Sequence, residues 1–101
     1  MGETGSSVKS KEIKTEITQM QKSGQIKKAI EFCRQALSED PTNSELHINL
    51  GDLYLQRHLD IYHAKQYVDE AITEYQRALE SNVNSALIHY KIGVALYHKG
   101  E

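Results

Sequence analysis

Apolar residues recur at intervals of three and four along most of this chain, a spacing that places them on one side of an α-helix. The segment after residue 25 shows the pattern clearly, with Ile26, Ala29, Ile30, Cys33, Ala36 and Leu37 on one stripe. A single proline in 101 residues also favours helices. The pattern predicts an all-α protein with helices at about 11–23, 26–39, 44–57, 61–81 and 85–99.

Turn residues stand between these segments. Gly24 and Gly100 lie where a helix would end in a residue with left-handed backbone conformation. The run from Asp40 to Asn43 contains the only proline and would end one helix and cap the next. These residues therefore predict where the first, second and fifth helices end and where the third begins.

The first ten residues, MGETGSSVKS, are small, polar and without periodicity. A segment of this composition cannot bury enough apolar surface to order itself. We therefore expect a disordered leader at 1–10 and one helical domain at 11–101, because a chain of this length is too short for two cores.

The chain contains an internal repeat. The sixteen residues 36–51 align without a gap with residues 78–93. The offset continues beyond this stretch: Ala29, Cys33, Leu37, His47 and Leu50 recur as Ala71, Tyr75, Leu79, His89 and Ile92, each pair 42 residues apart. A constant offset indicates that one helix–turn–helix unit is used more than once.

These residues resemble the tetratricopeptide repeat family, whose 34-residue unit consists of two helices. The second unit matches the family pattern best, through Leu50, Gly51, Tyr54, Ala71, Tyr75 and Ala78. The first unit matches through Gly24, Ala29, Ala36 and Pro41, and the third through Ile92, Gly93 and Gly100. The resemblance implies two repeats plus one extra helix in a right-handed superhelical stack.

The second unit is longer than the family pattern, since eight residues have been added between Gly51 and Ala71. An apolar heptad stripe continues through them, at Ile61, Ala64, Val68, Ala71, Tyr75 and Ala78. We therefore expect an elongated second helix from Ile61 to Ser81, with Asp60 as its N-cap and Glu74 on its outer side. The alternative is a disordered loop of eight residues, which the lack of Gly and Pro disfavours.

Charge is spread evenly along the chain, and the net charge is -2. There is no basic patch for a nucleic-acid backbone. No apolar run approaches the roughly 18 residues that span a bilayer, and the start lacks the apolar core of a secretory signal. We expect a cytoplasmic protein that binds neither nucleic acid nor membrane and carries no cofactor.

Residues for catalysis or metal binding are few. Cys33 is the only cysteine and lies on the apolar stripe of a predicted helix, which is typical of a buried, unreactive thiol. His47 and His89 share one repeat position and are interpreted as packing residues. The candidate metal ligands at the predicted turn are His58, Asp60 and His63. A zinc site needs three or four ligands in set geometry, which the spacing of these residues across a turn does not indicate. We predict no metal site, no catalytic residue and no enzyme.

The resemblance further implies that the first helix of each unit lines a concave groove. The groove would be polar at one end and apolar at the other. Its residues would be Lys14, Thr18, Ile48, Asn49, Asp52, Leu87, Tyr90, Lys91 and Val94. Some family members clamp an acidic chain end with five Lys, Asn and Arg side chains. Here Thr18 and Leu87 replace two of the five, and Lys91 replaces the Arg, which removes most carboxylate specificity.

We interpret the chain as a protein–protein interaction module, a scaffold or adaptor that binds a peptide or partner protein in this groove. The alternative is a structural segment of a longer repeat protein with no separate ligand. The last predicted helix is apolar nearly all round and lacks a covering helix in the pattern. We therefore form the hypothesis of a homodimer through this uncapped helix, against the alternative that it frays.

Overall fold

The computed structural model describes residues 2–60 and 65–100, with side chains in 11–59 and 65–100. Five helices follow one another: α1 (Gly2–Lys22), α2 (Ile26–Glu39), α3 (Ser44–Asp60), α4 (Lys65–Ser81) and α5 (Ala86–Lys99). Each helix packs against its neighbours in the chain. The described ranges contain no strand, so the predicted all-α fold class is confirmed.

The N-terminal segment differs from the prediction. α1 begins at Gly2, so residues 2–10 are helical rather than a disordered leader. Once a helix has formed, each added residue contributes a further backbone hydrogen bond without a new nucleation step. The polar segment can therefore continue a helix without an apolar side of its own.

The connection between α3 and α4 also differs. α3 runs to Asp60, beyond the predicted end near residue 57, so Asp60 has helical conformation instead of the non-helical one expected of an N-cap. Arg57 and His58 in its last turn suit the negative end of the helix dipole, which favours the extension. The start of the predicted long helix, at 61–64, lies outside the described residues.

The helix ends follow the local turn chemistry. Gly24 has a φ of +75°, a conformation that costs glycine little, and it separates α1 from α2. Asn43 caps α3, because its Oδ1 accepts a hydrogen bond from the Leu46 amide at 3.1 Å. Ser85 caps α5 in the same way, through the amide of Ile88 at 3.2 Å. The predicted stops at Gly24 and at the Asp40–Asn43 turn are confirmed.

The core lies between the apolar stripes of neighbouring helices, and the contact of α3 with α4 is the most extensive. The described part of the α4 heptad stripe is fully buried. It consists of Val68, Ala71, Tyr75 and Ala78, each at most 1% exposed. A heptad repeat keeps one side of a helix aimed at its neighbour, which is why this stripe stays inside.

α4 packs tightly against α3 at Gly51. A Cβ atom on this residue would lie 2.5 Å from Cε1 of Tyr75 and 2.8 Å from its Cδ1. The ring thus packs directly on the backbone of α3. At Gly93, which is the equivalent residue of the next unit, a Cβ atom would meet no atom of the described residues within 4 Å.

We expect Gly51→Ala to lower the free energy of unfolding by about 1–3 kcal/mol, because the added methyl group overpacks a fixed ring. Gly93→Ala is the matched control and should raise it by about 0.5–1 kcal/mol through helix propensity alone. Urea unfolding followed by circular dichroism measures both. Equal stability of the two variants would contradict the packing argument.

Cys33 ties α2 to α3. Its thiol is fully buried and donates to the carbonyl oxygen of Leu46 at 3.3 Å. Burial, with a smaller contribution from the charge of Glu74, raises the pKa of Cys33 from 9.0 to about 12. The folded chain therefore holds this proton at pH values where the unfolded chain has lost it.

We expect stability to decrease as the pH rises from 9 towards 12. Between these values the folded state binds more protons than the unfolded state, so the contribution that is complete below pH 9 is progressively lost. At pH 10 the loss from Cys33 should be about 1.4 kcal/mol relative to pH 8. Urea midpoints at pH 8 and pH 10 test this. Cys33→Ala should show a correspondingly smaller decrease, and an unchanged decrease would contradict the assignment.

Candidate functional site

Two ion pairs connect α3 with the first helices of the neighbouring units. Nζ of Lys14 on α1 lies 3.2 Å from Oε1 of Glu45. Nζ of Lys91 on α5 lies 3.0 Å from Oδ1 of Asp52. The two pairs place side chains of α1 and of α5 beside α3. We use the term groove face for the nine predicted groove residues.

Asp52 of the groove face is hydrogen-bonded to residues of two other helices. Its Oδ1 accepts a hydrogen bond from the Tyr75 hydroxyl at 2.6 Å, and its Oδ1 and Oδ2 accept from Lys91 at 3.0 and 3.1 Å. Burial first, then the hydrogen bond and charge of Asp52, raise the pKa of Tyr75, so this phenol remains a donor. One carboxylate thus joins α3, α4 and α5.

The polar residues nearer the N-terminus are also engaged. The hydroxyl of Thr18 donates to the carbonyl oxygen of Lys14 within α1 at 2.9 Å. Asn49 is half-buried and lines a shallow depression between α1 and α3, together with Ile13, Lys14, Asn43, Glu45 and Leu46. Ile48 is half-buried beside the core. This end of the surface therefore offers a small depression lined by both polar and apolar side chains.

The α5 end of the groove face is apolar and accessible. Leu87 is 56% exposed and Tyr90 69% exposed, whereas Val94 is half-buried. Of the two cations on this face, Lys91 is held by Asp52 and Lys14 faces Glu45. Of the five positions that a carboxylate clamp would use, Lys14 and Lys91 hold paired cations, Thr18 and Asn49 are uncharged, and Leu87 has no polar side-chain group.

A buried polar cluster behind the groove face was not predicted. Glu74 is only 6% exposed, so its predicted place on the outer side of α4 is wrong. Its Oε1 lies 2.7 Å from Nδ1 of His47, and its Oε2 accepts from Arg77 at 2.8 Å. Nε2 of His47 lies 2.7 Å from the carbonyl oxygen of Pro41. Glu74 precedes the buried Tyr75 directly, but only the docking of α4 on α3 shows that it meets His47.

Two family models match the chain in tandem. A model described as tetratricopeptide repeat matches residues 21–58, and one described as TPR repeat matches residues 60–100. The first match contains α2 and α3 and the second contains α4 and α5.

The chain belongs to the tetratricopeptide repeat (TPR) family.

The predicted family is therefore confirmed. TPR repeats generally mediate protein–protein interactions and are not catalytic modules. A comparison with curated proteins found no match to the chain.

Neither a metal centre nor a membrane span occurs in the part of this TPR chain that the structure describes. No group of three or more His, Cys, Asp or Glu side chains could hold a metal ion there. Of the candidate metal ligands at the predicted turn, His63 and the side chain of Asp60 lie outside that part, and the His58 ring lies 6.0 Å from that of His98. No described helix is both long enough and apolar enough to cross a bilayer.

We expect Asp52→Ala to lower the free energy of unfolding by about 1–3 kcal/mol, because the buried Tyr75 hydroxyl then lacks its acceptor. The same change in a Tyr75→Phe background should cost less, since no hydroxyl remains to be satisfied. Urea unfolding of the four chains gives the coupling. An equal cost in both backgrounds would show that the hydrogen bond does not stabilise the fold.

Proposed function

We propose that this TPR chain is an interaction module, a scaffold or adaptor, that binds a peptide segment of a partner protein on the groove face. The main supporting observation is that the charged side chains of this surface are paired within the chain, whereas its apolar side chains are exposed. The charged residues Lys14, Asp52 and Lys91 face partners within the chain, whereas Leu87 and Tyr90 are left accessible. Affinity would therefore come from apolar and aromatic contacts at the α5 end.

The paired charges and exposed apolar residues also indicate which kind of peptide the groove face would prefer. An acidic chain end would have to displace Asp52 from Lys91, which is only 25% exposed and bonded to both carboxylate oxygens. An apolar side chain packed on Tyr90 requires no such exchange. The half-buried amide of Asn49 can hydrogen-bond the backbone of an extended peptide. The segment is therefore an uncharged one with apolar anchors.

The open apolar surface of α5 favours two other roles. Leu96 and Tyr97 are exposed to 38% and 79%, as expected of a helix that packs on a further repeat or on a second copy of the chain. A structural segment of a longer repeat protein and a homodimer through α5 thus stay predictions. The molar mass in solution tests the second, against 11.5 kDa for the monomer. The cytoplasmic location also stays a prediction.

We expect Tyr90→Ala to weaken a bound peptide by about 2 kcal/mol, or roughly 30-fold in Kd, because a central aromatic contact is lost. Peptides selected from a displayed random library against the full chain supply the ligands, and calorimetry gives the affinities. Asn49→Ala should weaken binding by about 1 kcal/mol through a lost hydrogen bond.

The matched control is Gln76→Ala, an exposed position of α4. It should leave the affinity unchanged, and circular dichroism should show equal helix content in all variants. Selected peptides that lose as much affinity with Gln76→Ala as with Tyr90→Ala would contradict binding at the groove face.

A further inference from the structure

His47 is a buried histidine whose two ring nitrogens both face hydrogen-bond acceptors. Nδ1 lies 2.7 Å from Oε1 of Glu74 on α4, and Nε2 lies 2.7 Å from the carbonyl oxygen of Pro41 in the turn before α3. A carbonyl oxygen has no hydrogen to give, so Nε2 must donate. A contact of 2.7 Å between Nδ1 and a carboxyl oxygen likewise needs a hydrogen between the two atoms. His47 and Glu74 together therefore hold two protons.

Arg77 decides where the second of these protons lies. Its guanidinium donates to Oε2 of Glu74 at 2.8 Å, and a cation at this distance favours the ionised form of the carboxyl group. The proton between Glu74 and His47 then belongs to Nδ1, which makes the ring an imidazolium. In this state each ring nitrogen of His47 donates and both oxygens of Glu74 accept, so the hydrogen bonds of the pair are complete.

The other titratable groups around the ring belong to α2, to the turn at 40–43 and to α4. On α2, burial and then the charge of Glu74 raise the pKa of Cys33 to about 12, so this thiol stays neutral. In the turn, the Asp40 carboxylate accepts from the side-chain amide of Asn43 at 3.0 Å. On α4, Glu80 lines the same surface depression as the ring. Carboxylates thus outnumber cations around His47 among the described residues, which favours a positive ring.

The ring also has a route to solvent. His47 is only 7% exposed, but it forms part of the wall of that depression. The other lining residues are Pro41, Thr42, Arg77, Glu80 and Ser81. The pair can therefore exchange a proton with water while the helices stay packed.

The first unit of the chain has an apolar pair at the same two positions. By the 34-residue repeat of the family His47 corresponds to Ile13, and by the 42-residue offset Glu74 corresponds to Phe32. Ile13 and Phe32 are partly buried and line one depression between α1 and α2. Helix packing by itself therefore does not require a histidine and a carboxylate here.

We propose that His47 and Glu74 form a proton-dependent lock that fastens α4 to the turn at 40–43. With two protons on the pair, the imidazolium links the Pro41 carbonyl to the Glu74 carboxylate. When one proton leaves, a bare nitrogen faces one of these acceptors, and that contact is lost. This lock is separate from peptide binding on the groove face and does not depend on it.

The sign of the pH dependence follows from the proton count. A histidine in an unfolded chain releases its proton near pH 6.5, and its glutamates are ionised by then. Above this pH the folded state holds one proton more than the unfolded state. Stability therefore falls as the pH rises, with the unfolding constant increasing up to tenfold per pH unit, until the folded pair releases its own proton.

The protonation state is measured on the ring nitrogens of the full chain by ¹⁵N NMR at pH 7.5. An imidazolium has two nitrogens with similar shifts, whereas a neutral ring has one protonated and one bare nitrogen with very different shifts. We expect the imidazolium pattern for His47. The exposed His89 is the internal comparison and should show the neutral pattern, because a histidine in water is about nine-tenths neutral at this pH. A neutral pattern for His47 would overturn the proposal.

Urea unfolding at pH 7 and pH 8 tests the linkage, below the pH range in which Cys33 contributes. The unfolding constant of the unchanged chain should rise roughly eightfold between the two pH values. His47→Ile combined with Glu74→Phe installs the pair of the first unit, and His47→Gln keeps a polar side chain that cannot titrate. Each should reduce the rise to less than about twofold. An eightfold rise that persists in either variant would assign the proton to another group and overturn the lock.

Discussion

The structure depends on the packing of the Tyr75 ring on the bare backbone of Gly51. This contact places the ring of α4 directly against the backbone of α3, and the hydrogen bond from the Tyr75 hydroxyl to Asp52 holds the ring in place. Asp52 in turn holds Lys91 and with it α5. The distance between two helices and the position of a third are therefore set by one aromatic side chain and one carboxylate.

Polar groups inside the helix array add specificity to this packing. His47, Glu74 and Arg77 form a connected set, and no buried side-chain nitrogen or oxygen of the described residues lacks a hydrogen-bond partner. Burying a polar group costs free energy unless a hydrogen bond replaces the one it made with water. If α4 were shifted or rotated on α3, these groups would lose their partners. The cluster thus selects one register of α4 on α3.

The chain shows the same helix surface in two situations. In α3 the surface is buried, and Gly51, His47 and Tyr54 contact Tyr75, Glu74 and Tyr67 of α4. In α5 the equivalent residues have no second helix on them among the described residues, and Leu96 is accordingly more exposed than Tyr54. In a repeat protein each helix surface is buried only by its immediate neighbour.

Local spacing by itself determined the helix stripes, the capping residues at Gly24 and Asn43, and the 42-residue repeat, because each depends on residues a few positions apart or on simple recurrence. The sequence also indicated which helices share a surface through the family resemblance. The extension of α1 over residues 2–10 and of α3 to Asp60 was not predictable, because these residues continue helices without an apolar pattern of their own.

The contacts that define the candidate surfaces were decided by the tertiary structure alone. Asp52 meets Lys91 across 39 residues, and His47 meets Glu74 across 27. A residue at the edge of a buried stripe is buried or exposed according to the rotation and distance of the docked helix. The apolar periodicity of the sequence specifies neither quantity. The burial of Glu74 and the pairing of both groove cations follow from that docking, because they require two helices to be placed within hydrogen-bonding distance.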